Sequence, residues 1–274
     1  MSTTRSIKGR TVCVTGASSG FGRAISEHLG SLGAHVFMTG RTGEPMEESA
    51  AKIREAGGKA DVAVFDLGNL EHLTEWVSSS ASKTGRLDVM VNNAGFGDVG
   101  TTIADGDPTM WRAMLEINVL ALAVGCQAAI REMRATKSDG NIINISSVGA
   151  IRRDSGVYGA TKHAVNCINS TLRKELENDA IRTTSIMPGA FATNFNRHMD
   201  TKTVEAMATM AGVERVDFDE QHRLPQGQID QIQQAMPSIF GDATYVARAV
   251  EFVITQPIDV NIEELIVRPP RSIS

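Results

Sequence analysis

The 274-residue chain predicts an α/β fold: a doubly wound parallel sheet with helices on both faces, in a single domain over residues 1–274. Three observations predict it. Strand-like and helix-like segments alternate along most of the length, the pattern of repeated β-then-α units. The connections are mostly short, and no Pro/Gly/Ser-rich linker divides the chain. A glycine-rich turn, TGASSGFG (Thr15–Gly22), lies where the first strand gives way to the first helix, the place at which such sheets bind dinucleotides.

Each element follows from local pattern. Arg10–Thr15 is a short β-branched run. Phe21–Leu32 has helical spacing, with Ile25 and Leu29 four apart. Ala34–Thr39 is a second strand and Glu47–Ala56 a second helix. Ala60–Phe65 alternates like a strand, and Leu70–Lys83 like a helix. Leu87–Asn92 is a fourth strand. A long helical pattern fills Thr109–Arg134. Asn141–Ser146 is strand-like and Tyr158–Glu177 helical. Thr183–Met187, Tyr245–Thr255 and Leu265–Val267 give a sixth strand, a late helix and a last strand. From about Phe191 to Gly241 the rhythm breaks, and no clear strand is found.

The totals exclude several classes. A hydrophobic content of 42% in a chain of this size buries enough core to need neither disulfide nor metal. The net charge of −5 and the lack of a long basic run argue against a nucleic-acid partner. Cys13, Cys126 and Cys167 are scattered, with no C-x-x-C pair, so no metal site is expected. All three read as small core residues, and reduced thiols fit a cytoplasmic protein. The first residues, MSTTRSIKGR, lack the apolar run of a signal peptide. No apolar stretch reads as long enough to cross a bilayer, so no membrane partner is expected.

The glycine turn carries the first functional signal. Gly16, Gly20 and Gly22 leave the backbone without Cβ atoms where a phosphate must come close. The helix start then offers unpaired N–H groups, and Ser18 and Ser19 add hydroxyl donors. The end of the second strand should meet the adenosine ribose, where an acid would select NAD. Gly40 stands there instead, followed by Arg41. An Arg can pair with a 2′-phosphate, which favours NADP(H). The alternative is that Arg41 is an exposed turn residue.

The second signal is Tyr158 and Lys162, at i and i+4 and so on one helix face. An ammonium near a phenol favours the phenolate. The stretch NIINISS (Asn141–Ser147) delivers serines at the carboxyl end of a strand, where sites in open α/β sheets lie. The stretch NNAG (Asn92–Gly95) ends the fourth strand, Asn118 sits in the following helix, and Pro188-Gly189 follows the sixth strand.

With these pieces in order over about residues 8–195, the chain resembles the short-chain dehydrogenase/reductase family, of the common single-domain, Rossmann-like type. The matching pieces are Thr15–Gly22, Asp66-Leu67, Asn92–Gly95, Asn118, the serine closing NIINISS, Tyr158 with Lys162, and Pro188-Gly189. The resemblance implies an oxidoreductase that interconverts a secondary alcohol and a ketone by hydride transfer. It implies Tyr158 as acid/base, Ser147 as partner of the substrate oxygen, and Lys162 as binder of the nicotinamide ribose. Asn118 would help hold a water for proton relay. Asp66 and Leu67 would meet the adenine, and Asn93, Ala94 and Gly95 the adenosine side. Phe21 lies in the matched turn. Pro188, Gly189 and Thr193 would run beside the nicotinamide and pyrophosphate.

Two features depart from the family pattern. Ser147 is about two residues closer to the tyrosine than usual, in a shortened loop, and Ser146 ranks second because it would face the other side of a strand. The C-terminus lacks the common G-x-x-x-x-V-D-G-G ending and looks more like the hydroxy-acid and serine dehydrogenase branch. The resemblance also makes about 194–241 a substrate lid, with a surface excursion as the alternative. Met199, Met207, Met210 and Met236 read either as pocket lining or as helix core. Arg152 and Arg153 read as solvated surface ahead of a substrate contact. Val119–Gly125 and the Tyr158 helix suggest a subunit interface, as in related homotetramers. The other function readings are an NAD-linked enzyme and a catalytically idle NADP-binding regulator.

Overall fold

In a computed structural model the described residues are 4–98, 101–193, 195, 205, 208–209, 212–213, 216–218 and 224–271. Seven parallel strands form one sheet: β1 (Thr11–Thr15), β2 (His35–Gly40), β3 (Lys59–Val64), β4 (Val89–Asn92), β5 (Gly140–Ile145), β6 (Ile181–Pro188) and β7 (Glu264–Val267). Their order is β3-β2-β1-β4-β5-β6-β7. The order reverses between β1 and β4, and at such a reversal the carboxyl ends of the strands open a crevice.

Eight α-helices are described: α1 (Gly20–Ser31), α2 (Gly43–Glu55), α3 (Leu70–Thr84), α4 (Pro108–Leu115), α5 (Leu122–Thr136), α6 (Gly156–Glu175), α7 (Gln226–Ala235) and α8 (Ala243–Ile254). Strand alternation sorts the core into two layers. Val12, Val14, Val89 and Val91 face one, with Ile25 and Leu29 of α1, Met46 and Ile53 of α2, and Val250 of α8. Cys13, Met90 and Ile142 face the other, with Leu73 and Trp76 of α3, Met133 of α5 and Val165 of α6. This is the two-sided burial that a parallel sheet requires.

The predicted strands and helices are all present, with shifted ends. Helix α2 starts four residues before Glu47, because Pro45 falls in its first turn, where a missing N–H is tolerated. The long helical pattern is α4, a π-helical turn (Glu116–Ala121) and α5 in sequence. Asp107 caps its start by accepting from Thr109 N (2.8 Å). Together Pro108–Thr136 is long and apolar enough to cross a membrane, with a window of mean hydropathy 1.7, half of it buried. That corrects the expectation of no such stretch; the buried half packs on the sheet and α3. Cys167 is a second correction: it is exposed on α6, whereas Cys13 and Cys126 are core.

Parts of the 194–241 segment lie outside the described residues, and Met199, Met207 and Met210 are among them. Its stem is closed by Phe191 and Gly241, with Gly241 N donating to Ala190 O (3.1 Å). Its described part buries Ala208, Val213, Ile232 and Phe240 together, and Met236, half-buried just past α7, packs against them.

One buried polar feature crosses the sheet. Asn92 Nδ2 donates to Asn144 Oδ1 (3.0 Å), and Asn144 Nδ2 to Asn169 Oδ1 (3.2 Å), linking β4, β5 and α6. All three amides are at most 3% exposed, where an unpaired amide costs about 1–3 kcal/mol.

Candidate active site

The glycine turn joins β1 to α1 at the carboxyl edge of the sheet. Gly16 and Gly20 have φ of 66° and 55°, in the left-handed region. The three glycines divide the work. A Cβ on Gly22 would stand 2.3 Å from Gly16 O and 2.5 Å from Asn93 Nδ2, so Gly22 permits the turn to fold onto itself. Gly16 is packed as tightly, with Ala94 Cα 2.8 Å from a Cβ position. Gly20 meets only the Thr193 side chain, at 3.4 Å. Of the three, only Gly20 has room for a ligand without backbone crowding.

The residues fit a dinucleotide phosphate. Ser19 makes no side-chain cap on α1, as is also the case at the starts of α6 and α7, whereas Asn69, Asp107 and Asp242 cap α3, α4 and α8. The first N–H groups of α1 are thus not taken by a capping side chain, as anion binding at a helix start requires. Ala17 N donates to Thr39 O (3.0 Å), and Ser18 Oγ lies 3.4 Å from a Cβ position on Gly40. The turn therefore sits beside the end of β2, where Arg41 is exposed.

Asn93 works within the scaffold. Its Nδ2 donates to Thr15 O (2.8 Å) and Gly16 O (3.2 Å), and Asn93 N and Ala94 N both donate to Thr15 Oγ1. This ties the β4 turn to the glycine turn. Asp66 closes its own loop by accepting from Gly68 N (2.8 Å). The buried Leu67 lines a small cavity with Thr15, Asn92, Ala94 and Ile117.

Tyr158 and Lys162 come together with Ser147 as the spacing predicts. Lys162 is 3% exposed and Nζ donates to Ile145 O (2.8 Å). Burial pushes its ammonium down to about 8. Tyr158 is 8% exposed, and burial pushes its phenol up to about 12, against a hydrogen bond from Ser147 that lowers it. Lys162 Nζ stands 5.9 Å from the Tyr158 ring centre, and in this arrangement burial outweighs any lowering of the phenol by the ammonium. Ser147 also accepts from Gly149 N (3.0 Å), opening a short 3-10 turn at Val148–Ile151. Ser146 is buried with its hydroxyl on Lys162 O (3.4 Å). The two serines thus part as strand alternation predicts.

Asn118 is fully buried in the π-helical turn. Its Nδ2 donates to Phe96 O (2.8 Å) and Thr161 Oγ1 (3.1 Å), and its Oδ1 accepts from Phe96 N (3.1 Å). Both amide hydrogens are engaged by protein, so the side chain ties the Phe96 loop to the Tyr158 helix. Thr161 in turn donates to Tyr158 O (2.7 Å). Gly95 has Asn118 Oδ1 3.0 Å and Lys162 Nζ 3.5 Å from its Cβ position. Gly189 N donates to Val267 O (2.8 Å), fixing the Pro188-Gly189 segment to β7.

Arg152 and Arg153 are exposed, and Arg152 is held by Asp154 through Nε (3.0 Å) and Nη2 (3.1 Å). His163 bonds Arg152 O (2.9 Å), away from Tyr158. Four contributors escape sequence reasoning: Thr15, Gly97, Thr161 and Phe195. Gly97 and Phe195 both pack on the Tyr158 ring. Thr161 lies three residues after Tyr158, a spacing that could have exposed it.

A parallel sheet with this switch point, a glycine turn at its carboxyl edge and a buried Tyr158–Lys162 pair beside Ser147 fits a nucleotide-dependent oxidoreductase class. The sequence pattern described as short chain dehydrogenase matches residues 10–204. An uncharacterised oxidoreductase of Staphylococcus saprophyticus is 30% identical over 96% of this chain and 98% of its own. The bovine (Bos taurus) dehydrogenase/reductase SDR family member 11 is 35% identical over 73% of this chain and 81% of its own. A metagenomic short-chain oxidoreductase in complex with NADP superposes with a TM-score of 0.73 at 28% identity, over 96% of this chain and 98% of that one. A short-chain dehydrogenase of Burkholderia cenocepacia in complex with NADP gives 0.76 at 26%, over 97% and 98%. The chain belongs to the short-chain dehydrogenase family of oxidoreductases.

Proposed function

We propose that the protein is an NADP(H)-dependent oxidoreductase that interconverts a secondary alcohol and a ketone, with Tyr158 as acid/base. The observation that carries this reading is the buried Tyr158 phenol, hydrogen-bonded to Ser147 beside the buried Lys162 ammonium, at the carboxyl edge that also holds the glycine turn.

When bound, the nicotinamide supplies or accepts the hydride. The chain's own residues bind, orient and move the proton. Burial keeps Tyr158 protonated at neutral pH, with its phenol up to about 12, the state that donates a proton to a carbonyl oxygen as the carbon receives hydride. Ser147 orients that oxygen. In the oxidative direction Tyr158 must accept a proton, and the Ser147 hydrogen bond and a nearby ammonium favour the phenolate. Lys162 and Asn118 act as the resemblance implies through the nicotinamide ribose and the proton path, Asn118 by holding the Phe96 loop and Thr161.

For the cofactor, Gly20, Phe21, Ser18 and Ser19 form the phosphate turn, with Gly16 and Gly22 shaping it. Arg41 reads the 2′-phosphate, which favours NADP(H) over NAD; the NADP held by the two solved relatives supports this. Asp66, Leu67, Asn93, Ala94 and Gly95 serve the adenosine end, and Pro188, Gly189 and Thr193 the nicotinamide end. The reading takes residues 1–274 as one domain in a cytoplasmic setting, with about 194–241 as its lid. It assembles the chain as a homo-oligomer through the exposed Leu115 and Leu120 on the α4–α5 rod; a monomer in sedimentation velocity at micromolar concentration would refute that part. The test of the chemistry is Tyr158→Phe. Expected is retained NADPH binding by fluorescence titration with nearly all turnover lost; near wild-type kcat would overturn the assignment.

A further inference from the structure

Apolar groups enclose the chemistry of Tyr158. Phe195 lies against its ring, centroids 5.2 Å apart and planes at 58°, within the range of a favourable aromatic pair. Gly97 closes another side. A Cβ there would stand 2.7 Å from Tyr158 Cδ2 and 2.9 Å from Phe195 Cζ. The stretch leading to Phe195 is anchored: Phe191 packs edge-on against Phe21 at 5.2 Å, and Thr193 faces Gly20. Phe195 itself is half-buried.

An exposed apolar side chain also lies in the turn after Ser147. Ile151 ends the turn that Ser147 opens, and it is 47% exposed. Three nearby charged groups are engaged by protein, while Arg153 is exposed. Lys162 is held on Ile145 O, the Arg152 guanidinium on Asp154, and Asp98 accepts from Thr101. A flat apolar substituent on the reacting carbon would cover the exposed part of Phe195, whereas a short alkyl chain would leave it in water.

We infer that Phe195, seated against Gly97, is a specificity-determining wall beside Tyr158. The substrate it selects is an uncharged ketone, or its secondary alcohol, with an aromatic or alicyclic ring next to the carbonyl carbon. The inference deepens the proposed reaction and rests on the reading of Tyr158 as its acid/base.

The experiment compares acetophenone, 2-butanone and 4-acetylbenzoate as substrates with NADPH. In parallel, saturation-transfer NMR follows acetophenone binding to the NADPH-loaded Tyr158→Phe variant. Expected is a kcat/KM for acetophenone about tenfold above that for 2-butanone, and a poor rate with 4-acetylbenzoate. Phe195→Ala should cut the acetophenone-to-butanone ratio about three- to tenfold, the worth of one aromatic contact, with Phe195→Leu in between. The same loss should appear in acetophenone affinity when Phe195→Ala is added to Tyr158→Phe. Preference for 2-butanone or 4-acetylbenzoate, an unchanged ratio in both Phe195 variants, or no binding to Tyr158→Phe would overturn the wall; preference for the carboxylate would assign Arg153 a substrate contact instead. Phe195-dependent binding together with near wild-type turnover by Tyr158→Phe would leave the wall standing and remove the acid/base assignment.

Discussion

Replacing Asn118 by Ala removes three hydrogen bonds at once: to Phe96 O at 2.8 Å, from Phe96 N at 3.1 Å and to Thr161 Oγ1 at 3.1 Å. The site is completely buried, so water does not readily replace them. At a net contribution of about 1 kcal/mol each, Asn118→Ala loses about 3 kcal/mol, and more if the Phe96 backbone groups stay unpaired. For a chain of this size that is a fall in melting temperature of about 6 °C. Circular dichroism melts of wild type, Asn118→Ala, Thr161→Val and the double variant measure it. Because both single changes remove the same Asn118–Thr161 bond, the double variant should be less destabilised than the sum, by about 1 kcal/mol. A melting temperature for Asn118→Ala within 2 °C of wild type, or strict additivity, would refute the claim that Asn118 braces the Phe96 loop against the Tyr158 helix.

Gly22→Ala should lower stability by about 1–3 kcal/mol through overpacking, less about 1 kcal/mol of helix propensity regained, because its Cβ would meet Gly16 O at 2.3 Å; a melt superimposable on wild type would contradict the crowded turn. Lys162 gives a pH signature. Burial holds its ammonium at about 8 in the folded protein against an ordinary 10.5, so between those pH values the unfolded chain binds more protons at this site, whose contribution to stability rises with pH. The buried thiols Cys13 and Cys126, pushed up to about 12, act in the opposite sense, so melts of wild type and Lys162→Met from pH 7.5 to 9.5 should show wild type gaining on the variant as pH rises, and parallel curves would argue against a buried ammonium. Arg41→Ala should weaken NADPH about 10- to 100-fold, the worth of a charge-assisted bond, and leave NADH within about twofold. Equal weakening of both in fluorescence titrations would remove Arg41 as the 2′-phosphate reader.

Much of the framework was legible because parallel sheets buried on both faces leave continuous apolar runs separated by glycine turns. The positions of Tyr158, Lys162 and Ser147 were legible for a similar reason: helical spacing and strand alternation fix which side chains share a face. The partners that constrain them were less legible. Lys162 is held by a backbone carbonyl, that of Ile145, which no side-chain pattern advertises. Gly97 and Phe195 meet Tyr158 only because a loop after β4 and a segment after β6 converge in space. The glycine turn looks uniform in sequence, yet Gly16 is crowded by Asn93 and Ala94 and Gly22 by Gly16 O and Asn93, so much of the crowding comes from a segment distant in the chain. The π-helical turn was hidden because its apolar spacing still resembles an α-helix. Cys167 was misread because a small residue in a helical pattern carries no sign of which face it occupies.

The amide ladder of Asn92, Asn144 and Asn169 has a consequence for how the strands find their alignment. The apolar pairs of β4 and β5, Met90 with Ile142 and Val91 with Ile143, discriminate weakly between neighbouring pairings, since Val, Met and Ile are nearly interchangeable partners. Asn92 faces Asn144 in the native pairing. A slip of one residue would turn one amide to the opposite layer and leave both buried without partners, at about 1–3 kcal/mol each. The ladder thus acts as a proofreading mark: it rejects misaligned sheets in which the Ser147 loop and the glycine turn would end at the wrong relative height.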